Sequence, residues 1–235
     1  MLNEETICAL STAAGIGAIA LVRMTGPESL RIAQSVFSKD ISTAASSKAI
    51  YGWIMESDQR IDDVLLTVFR GPNSFTGEDT VEIACHGSLF IQSEILRLLT
   101  NAGARLARGG EFTMRAFMNG KMDLSQAEAI GDLIACESAA AHRQAVHQMR
   151  GGFSKEINGL RDRLIHFAAL VELELDFAEE DVEFANREQF RSLLEEILGV
   201  VERLKASFKL GNVLKSGVPV AILGAPNAGK STLLN

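Results

Sequence analysis

Residues 224–231 read Gly-Ala-Pro-Asn-Ala-Gly-Lys-Ser and satisfy the spacing G-x-x-x-x-G-K-[ST]. The chemistry suited to that spacing is the cradling of a polyphosphate. Glycines let backbone N–H groups curl around an anion, a helix N-terminus adds its dipole, Lys230 neutralises charge and Ser231 offers an oxygen to Mg²⁺. The flanks agree, because Val218–Leu223 reads as a buried strand and Thr232-Leu233-Leu234 as the opening of a helix, where a bare glycine turn is the plainer alternative. None of the aspartates begins a D-x-x-G, and Asn119-Gly120-Lys121-Met122-Asp123 is not N-K-x-D. The chain is therefore expected to stop inside a nucleotide-binding domain, to hold GTP weakly and not to hydrolyse it, and no catalytic residue is assigned within it.

Other chemistry-bearing residues read more plainly. Cys8, Cys85 and Cys136 are far apart with no C-x-x-C, which indicates neither a disulfide framework nor a zinc site, and each reads as a buried small apolar residue. His86 beside Gly87 invites an acid/base role, with a structural role as the simpler reading. Between Arg97 and Lys121 the bases Arg97, Arg105, Arg108, Arg115 and Lys121 face one acid, Glu111. They read as dispersed solvent-facing charge or as a local patch for anions.

Composition limits what these residues can serve. The 235 residues are 47% hydrophobic and 23% charged with four prolines, the make-up of a packed globular chain. Thirty acidic against 23 basic residues give a net charge of −7, so any contact with RNA has to be local. Acidic residues occupy the start, Met-Leu-Asn-Glu-Glu-Thr, and Arg23 interrupts the apolar stretch Ala13–Val22 well short of a membrane span. A cytoplasmic protein with no membrane partner is expected.

The elements that must carry these residues fall into three stretches. Over 1–121, Thr6–Leu10, Ala18–Arg23, Ala49–Met55, Val64–Phe69 and Thr80–Cys85 read as strands, with helices at Pro27–Phe37 and Ser88–Thr100. That mixture predicts an α+β domain with an antiparallel or mixed sheet. From Asp123 the period becomes helical. Ser125 and Glu128 form a capping box, so one helix is expected from there towards Arg150, stopped by Gly151-Gly152. Ile157, Leu160, Leu164, Phe167, Val171 and Leu175 then share one stripe that must be buried. The acidic connector Glu179–Glu183 reads as a solvated loop. After an Asn186 cap, Phe190, Leu193, Ile197, Val201, Leu204 and Phe208 form a second stripe, and two such stripes imply a helical bundle. Gly211 and Gly217 bracket the change of composition that precedes the phosphate loop.

Taken together, several stretches resemble the family of tRNA-modifying GTPases called MnmE or TrmE. They are Glu5-Thr6-Ile7, Leu21–Pro27, Gly71–Glu82 with His86-Gly87, Gly110–Lys121, Asp123–Ala129 and Gly224–Asn235. The resemblance implies an α+β domain like tetrahydrofolate-binding one-carbon enzymes at 1–121, used for folate and dimerisation. It further implies the first part of an all-α helical domain at 122–216, and the first strand and P-loop of an inserted Ras-like α/β G domain at 217–235. Arg23, Glu82 and Lys121 match the family's contacts to a 5-formyl-tetrahydrofolate-type cofactor. Asn227, Ala228, Gly229, Lys230, Ser231 and Thr232 match its GTP contacts, with Asn227 also on potassium and Ser231 on Mg²⁺. The implied partners are a second copy of the chain, the flavoprotein MnmG in a heterotetramer, and tRNA, whose wobble uridine U34 gains a carboxymethylaminomethyl group at C5. The chain departs from the family pattern at Ala13-Ala14, Ile16, Ser88 and Gly109, and lacks the family's C-terminal cysteine. The alternatives are a module that only binds folate and dimerises, or an unrelated P-loop regulator.

Overall fold

The computed structural model describes residues 5–176 and 186–216, with 221, 223, 224 and 232. The chain divides into two compact units, Met1–Asp123 and Leu124–Asn235.

The first unit is built on six strands: β1 (Ile7–Leu10), β2 (Ile19–Thr25), β3 (Ala49–Glu56), β4 (Gln59–Phe69), β5 (Thr80–His86) and β6 (Arg105–Leu106). They lie in the order β3-β4-β5-β2-β1-β6. All neighbours are antiparallel except β1 and β6, so the sheet is mixed. Alternation gives it two unlike faces. Val22, Met24, Val64, Leu66, Val81 and Ile83 point to one side and are buried with Ile32 and Ala33 of α1 (Ser29–Val36) and Ile95 and Leu99 of α2 (Leu89–Asn101). Full burial of each large aliphatic side chain contributes roughly 1.5–3 kcal/mol, which makes this face the main stabilising element. Gly26 closes β2 with φ +131°, and a Cβ there would lie 2.7 Å from the Thr6 Cα, so only glycine fits this corner. The two-residue strand β6 and the helix α3 (Glu111–Met118) are additions to the predicted elements. β2 also runs on through Thr25, which puts Arg23 inside the strand.

The second unit is helical: α4 (Leu124–Ala135), α5 (Ala139–Met149), α6 (Gly152–Asp176) and α7 (Arg187–Ser216). The single helix expected from Ser125 to Arg150 is thus two. Ser125 lies within α4, where its side-chain and backbone oxygens each accept from Gln148 Nε2 at 3.2 Å, and it is not the cap. The cap is Ser138, whose hydroxyl accepts the Ala141 N–H at 3.1 Å and starts α5 anew. Gly151, at φ +73°, ends α5, but Gly152 already begins α6, so the glycine pair is a corner and not a stop. Asn186 caps α7 as expected, its Oδ1 accepting from Glu188 and Gln189.

The two apolar stripes are only partly buried. Leu160, Leu193 and Val200 are buried and Phe167 stacks on Phe190 with ring centroids 4.4 Å apart, yet Ile157, Val171 and Val201 are exposed. Two neighbouring helices cover one line of contact on each other, whereas these stripes are wider than a line. α7 continues through Gly211 to Ser216. The acidic connector Glu179–Glu183, the predicted strand Val218–Leu223 apart from residues 221 and 223, and the phosphate loop from 225 to 231 lie outside the described residues.

Candidate functional site: a charged pair under two aromatic rings

The second face of the first unit's sheet carries Arg23, and directly opposite it across the β2–β5 ladder stands Glu82. Level registry brings their Cβ atoms within the reach of a direct side-chain contact. Arg23 Nε donates to Glu82 Oε1 at 2.8 Å and Nη2 approaches the same oxygen at 2.7 Å. Glu82 Oε2 has no hydrogen bond among the described residues. The pair is part-buried, with 28% and 21% of the two side chains exposed, so both groups remain open to a ligand.

Two rings flank the guanidinium. Phe75, in the loop between β4 and β5, and Phe112, at the start of α3, have centroids 5.7 Å and 5.9 Å from Arg23 Cζ, within cation–π range. Lys121 reaches the same loop from the corner after α3. Its Nζ donates to the Pro72 carbonyl at 2.8 Å, and its stem packs on Gly77, where an added Cβ would lie 3.4 Å from Lys121 Cγ and Cδ. The structure therefore joins Arg23 and Glu82 directly and ties Lys121 to the loop that carries Phe75.

Beneath that loop lies a polar strut that the sequence reading did not single out. Thr25, Thr76 and Thr80 bring their hydroxyls together, with Thr25 Oγ1 at 2.7 Å from Thr76 and 2.9 Å from Thr80. Arg115, 1% exposed, donates from Nη1 to Glu78 Oε2 at 3.0 Å, and its Nη2 lies 3.5 Å from Glu111 Oε1. Glu111 also takes both terminal nitrogens of Arg105 and the Arg108 backbone N–H. Chiefly through Arg105, these donors hold the Glu111 carboxyl down at about 2. Fixing the loop at Glu78, Thr76 and Asn119, whose Nδ2 donates to the Thr76 carbonyl at 2.8 Å, fixes Phe75 over Arg23.

The same contacts correct the reading of residues 97–121 as dispersed solvent-facing charge or a local patch for anions. Arg115 is buried, Arg105 is paired with Glu5 and Glu111, and Arg97 is paired with Glu56 and Glu94. The acids come from distant parts of the chain, which a local count of charges could not include. Phe75 and Phe112 do stand inside motifs quoted above, but nothing in their spacing showed that they would meet across one arginine.

His86 closes the far end of β5. Its Nδ1 lies 2.7 Å from Asp62 Oδ1 and its backbone N–H donates to Asp62 Oδ2 at 2.8 Å, so one carboxylate anchors both ring and chain. Cys8 and Cys85 are buried, which pushes both thiols up to about 11. Cys136 is only half-buried, because it sits where α4 gives way to α5 and donates to the Leu133 carbonyl. Among the described residues no cluster of three or more metal-ligating side chains occurs, and no helix is long and apolar enough to cross a membrane. Of the phosphate-loop residues named above, Asn227–Ser231 lie outside the described residues, while Thr232 is helical and exposed.

The donor set suits a reduced folate. A pterin is a flat ring with an amide and amine edge that an unengaged carboxylate oxygen can accept from, and its glutamate tail needs cations such as Arg23 and Lys121. A mixed-sheet unit that carries a charged pair beside two aromatic rings, followed by a separate helical unit, defines the class: a chain of two units of unlike architecture. Residues 6–121 match the family model described as GTP-binding protein TrmE N-terminus, and residues 124–219 match the MnmE helical domain. The chain belongs to the MnmE (TrmE) family. It is 55% identical over 239 residues to the "tRNA modification GTPase MnmE" of Flavobacterium johnsoniae, covering 100% of this chain and 51% of that protein. Against the proteins of the same name from Cytophaga hutchinsonii and Bacteroides fragilis the identities are 58% and 54%, over 99% and 100% of this chain and 51% of each relative. The chain thus spans about half the length of the curated relatives it matches. Membership leaves the reading as an unrelated P-loop regulator without support.

Proposed function

We propose that the chain supplies the folate-holding and helical parts of a GTP-dependent tRNA modification protein. In this reading the protein works with the flavoprotein MnmG, in a heterotetramer, to place a carboxymethylaminomethyl group on C5 of the wobble uridine in certain tRNAs. Residues 1–121 bind 5-formyl-tetrahydrofolate or a related folate and dimerise, 122–216 form the first part of the helical domain, and 217–235 begin the G domain. Asn227–Thr232 contact GTP there, with potassium at Asn227 and Mg²⁺ at Ser231, and the complex works in the cytoplasm. Without D-x-x-G and N-K-x-D the 235 residues by themselves neither hold GTP tightly nor hydrolyse it.

The observation that carries the folate assignment is the level Arg23–Glu82 pair with one carboxylate oxygen unengaged and two rings beside the guanidinium. Bound tetrahydrofolate would supply the one-carbon unit. Glu82 orients the pterin edge, Arg23 keeps Glu82 charged and in place, and Lys121 neutralises the ligand's tail. Isothermal titration of 5-formyl-tetrahydrofolate into the protein tests this. Glu82→Ala removes a charge-assisted hydrogen bond worth about 1.5–3 kcal/mol, so the affinity should fall at least tenfold. Binding that ignores Glu82→Ala, or no binding to the parent, rejects the assignment.

The open part of the same sheet face supports pairing with a second copy. Tyr51, Leu65, Ala84 and Leu21 line up in register across four strands, with Ile19 beyond them. Leu65 and Tyr51 are about half exposed and Ile19 is 70% exposed, an apolar row of the kind that marks an interaction surface.

A further inference from the structure

Three cations of the helical unit, Arg143, Arg150 and Lys155, line one groove and make no ion pair among the described residues. Arg143 and Arg150 lie seven residues apart on α5, about 10 Å along the axis and on one face, and Lys155 follows the corner into α6. Together with His142 and His147 they line a groove of about 430 Å³ floored by Val146 and Gly152. The His147 ring lies over Gly152, in the space a Cβ there would take.

Most arginines among the described residues face a carboxylate, Arg23, Arg31, Arg60, Arg97, Arg105 and Arg115 among them, while Arg70, Arg108 and Arg187 stand outside this groove without one. Lys155 also lines the neighbouring groove between α6 and α7, where Arg163 pairs with Glu196 and Arg203 with Glu156. By contrast, the side chains of Arg143, Arg150 and Lys155 make no ion pair or hydrogen bond among the described residues, and all three are exposed. From Ser138 to Lys155 the chain has no Asp or Glu at all, within a protein of net charge −7.

We propose that this α5–α6 groove is a contact site for the phosphate backbone of RNA. Guanidinium forks bind phosphate oxygens in pairs, an ammonium adds a point charge, and the separation along α5 lets the two arginines reach neighbouring phosphates of one strand. Val146 is the one aliphatic residue that lines the groove beside three cations and two histidines, a positive lining of the kind nucleic-acid interfaces use. The proposal rests on the tRNA reading above and adds to it a location, the local basic feature that an acidic protein requires.

The test is binding of an unmodified tRNA transcript to the full chain by fluorescence anisotropy at several salt concentrations. Two triple variants are compared, R143A/R150A/K155A and R161A/R187A/R191A, each of which removes three cations from the same helical unit, with circular dichroism to confirm helix content. If the groove holds phosphate, the first variant binds at least tenfold more weakly and its log–log salt slope drops by about 2–3, while the second matches the parent. Equal loss in both variants, or no loss in the first, overturns the proposal and leaves the tRNA reading standing. A parent that binds no tRNA overturns both. A polyglutamate peptide that binds the parent and not the first variant, with tRNA binding unmoved, reassigns the groove to an acidic protein.

Discussion

At the scale of single residues, the charges that matter are the buried ones and the partners, near and far along the chain, that satisfy them. Arg115 sits at 1% exposure and Glu111 at 2%, and neither could be buried alone, since an unpaired buried charge costs several kcal/mol. Glu111 is held ionised below its ordinary value of about 4.5, down to about 2, so its folded pKa lies beneath its unfolded one. Its contribution to stability is therefore complete above about pH 4.5 and is lost as the pH falls towards 2. Glu111→Gln should destabilise the first unit by about 3–5 kcal/mol at neutral pH by leaving Arg105 and Arg115 short of charge. Chemical denaturation at pH 7 and at pH 3 checks this: the gap between variant and parent should narrow at the lower pH, and an equal gap at both would reject the linkage. These partners were not legible locally. A count over 97–121 finds one acid, whereas the fold brings in Glu5, Glu56, Glu78 and Glu94.

Elements were legible where periodicity was unambiguous and illegible where a short break divided one helical stretch into two. The five main strands and helices α1 and α2 follow from alternation and turn residues, and the observed bounds differ by a few residues, most at β4, which starts at Gln59. A helix starts within one residue of the capping-box serine, Ser125, as expected, but the break after Ala135 was not read, and the new set of free N–H groups it creates is satisfied by Ser138. Ser138→Ala should cost about 1 kcal/mol, read as a loss of stability in a urea melt of the helical unit. A melt identical to the parent would mean that α5 does not depend on this cap. β6 was missed since two residues give no period, and α3 since it starts from Gly110 with no side-chain cap to announce it.

On the scale of the whole molecule, sequence patterning showed that helical stripes exist but not how much of each would be covered. Coverage depends on how many neighbours a helix has, a property of the assembled fold. The family match accounts for two units of different architecture in succession, and the candidate folate site lies wholly within the first. The same unit presents the apolar row of Leu21, Ala84, Leu65 and Tyr51, and pairing of two copies through this face predicts a definite response. Leu65→Glu should convert a dimer into a monomer in sedimentation velocity, because a carboxylate in the middle of a buried apolar row has no partner. A dimer that persists unchanged would place the pairing surface elsewhere.

The straight row that sets Arg23 beside Glu82 also has a genetic consequence. Since alternate positions of β2 look to opposite sides, losing a single codon between Ile19 and Arg23 would make every residue on one side of the lesion trade places. Either the arginine would be driven among the aliphatic side chains under the helices, or Ile19 and Leu21 would be drawn inward while Ala20 and Val22 turned out to water. Both flanking ladders are antiparallel and fix the same frame, so neither neighbour can slide to compensate. Gene variants that change length are excluded from Ile19 to Thr25.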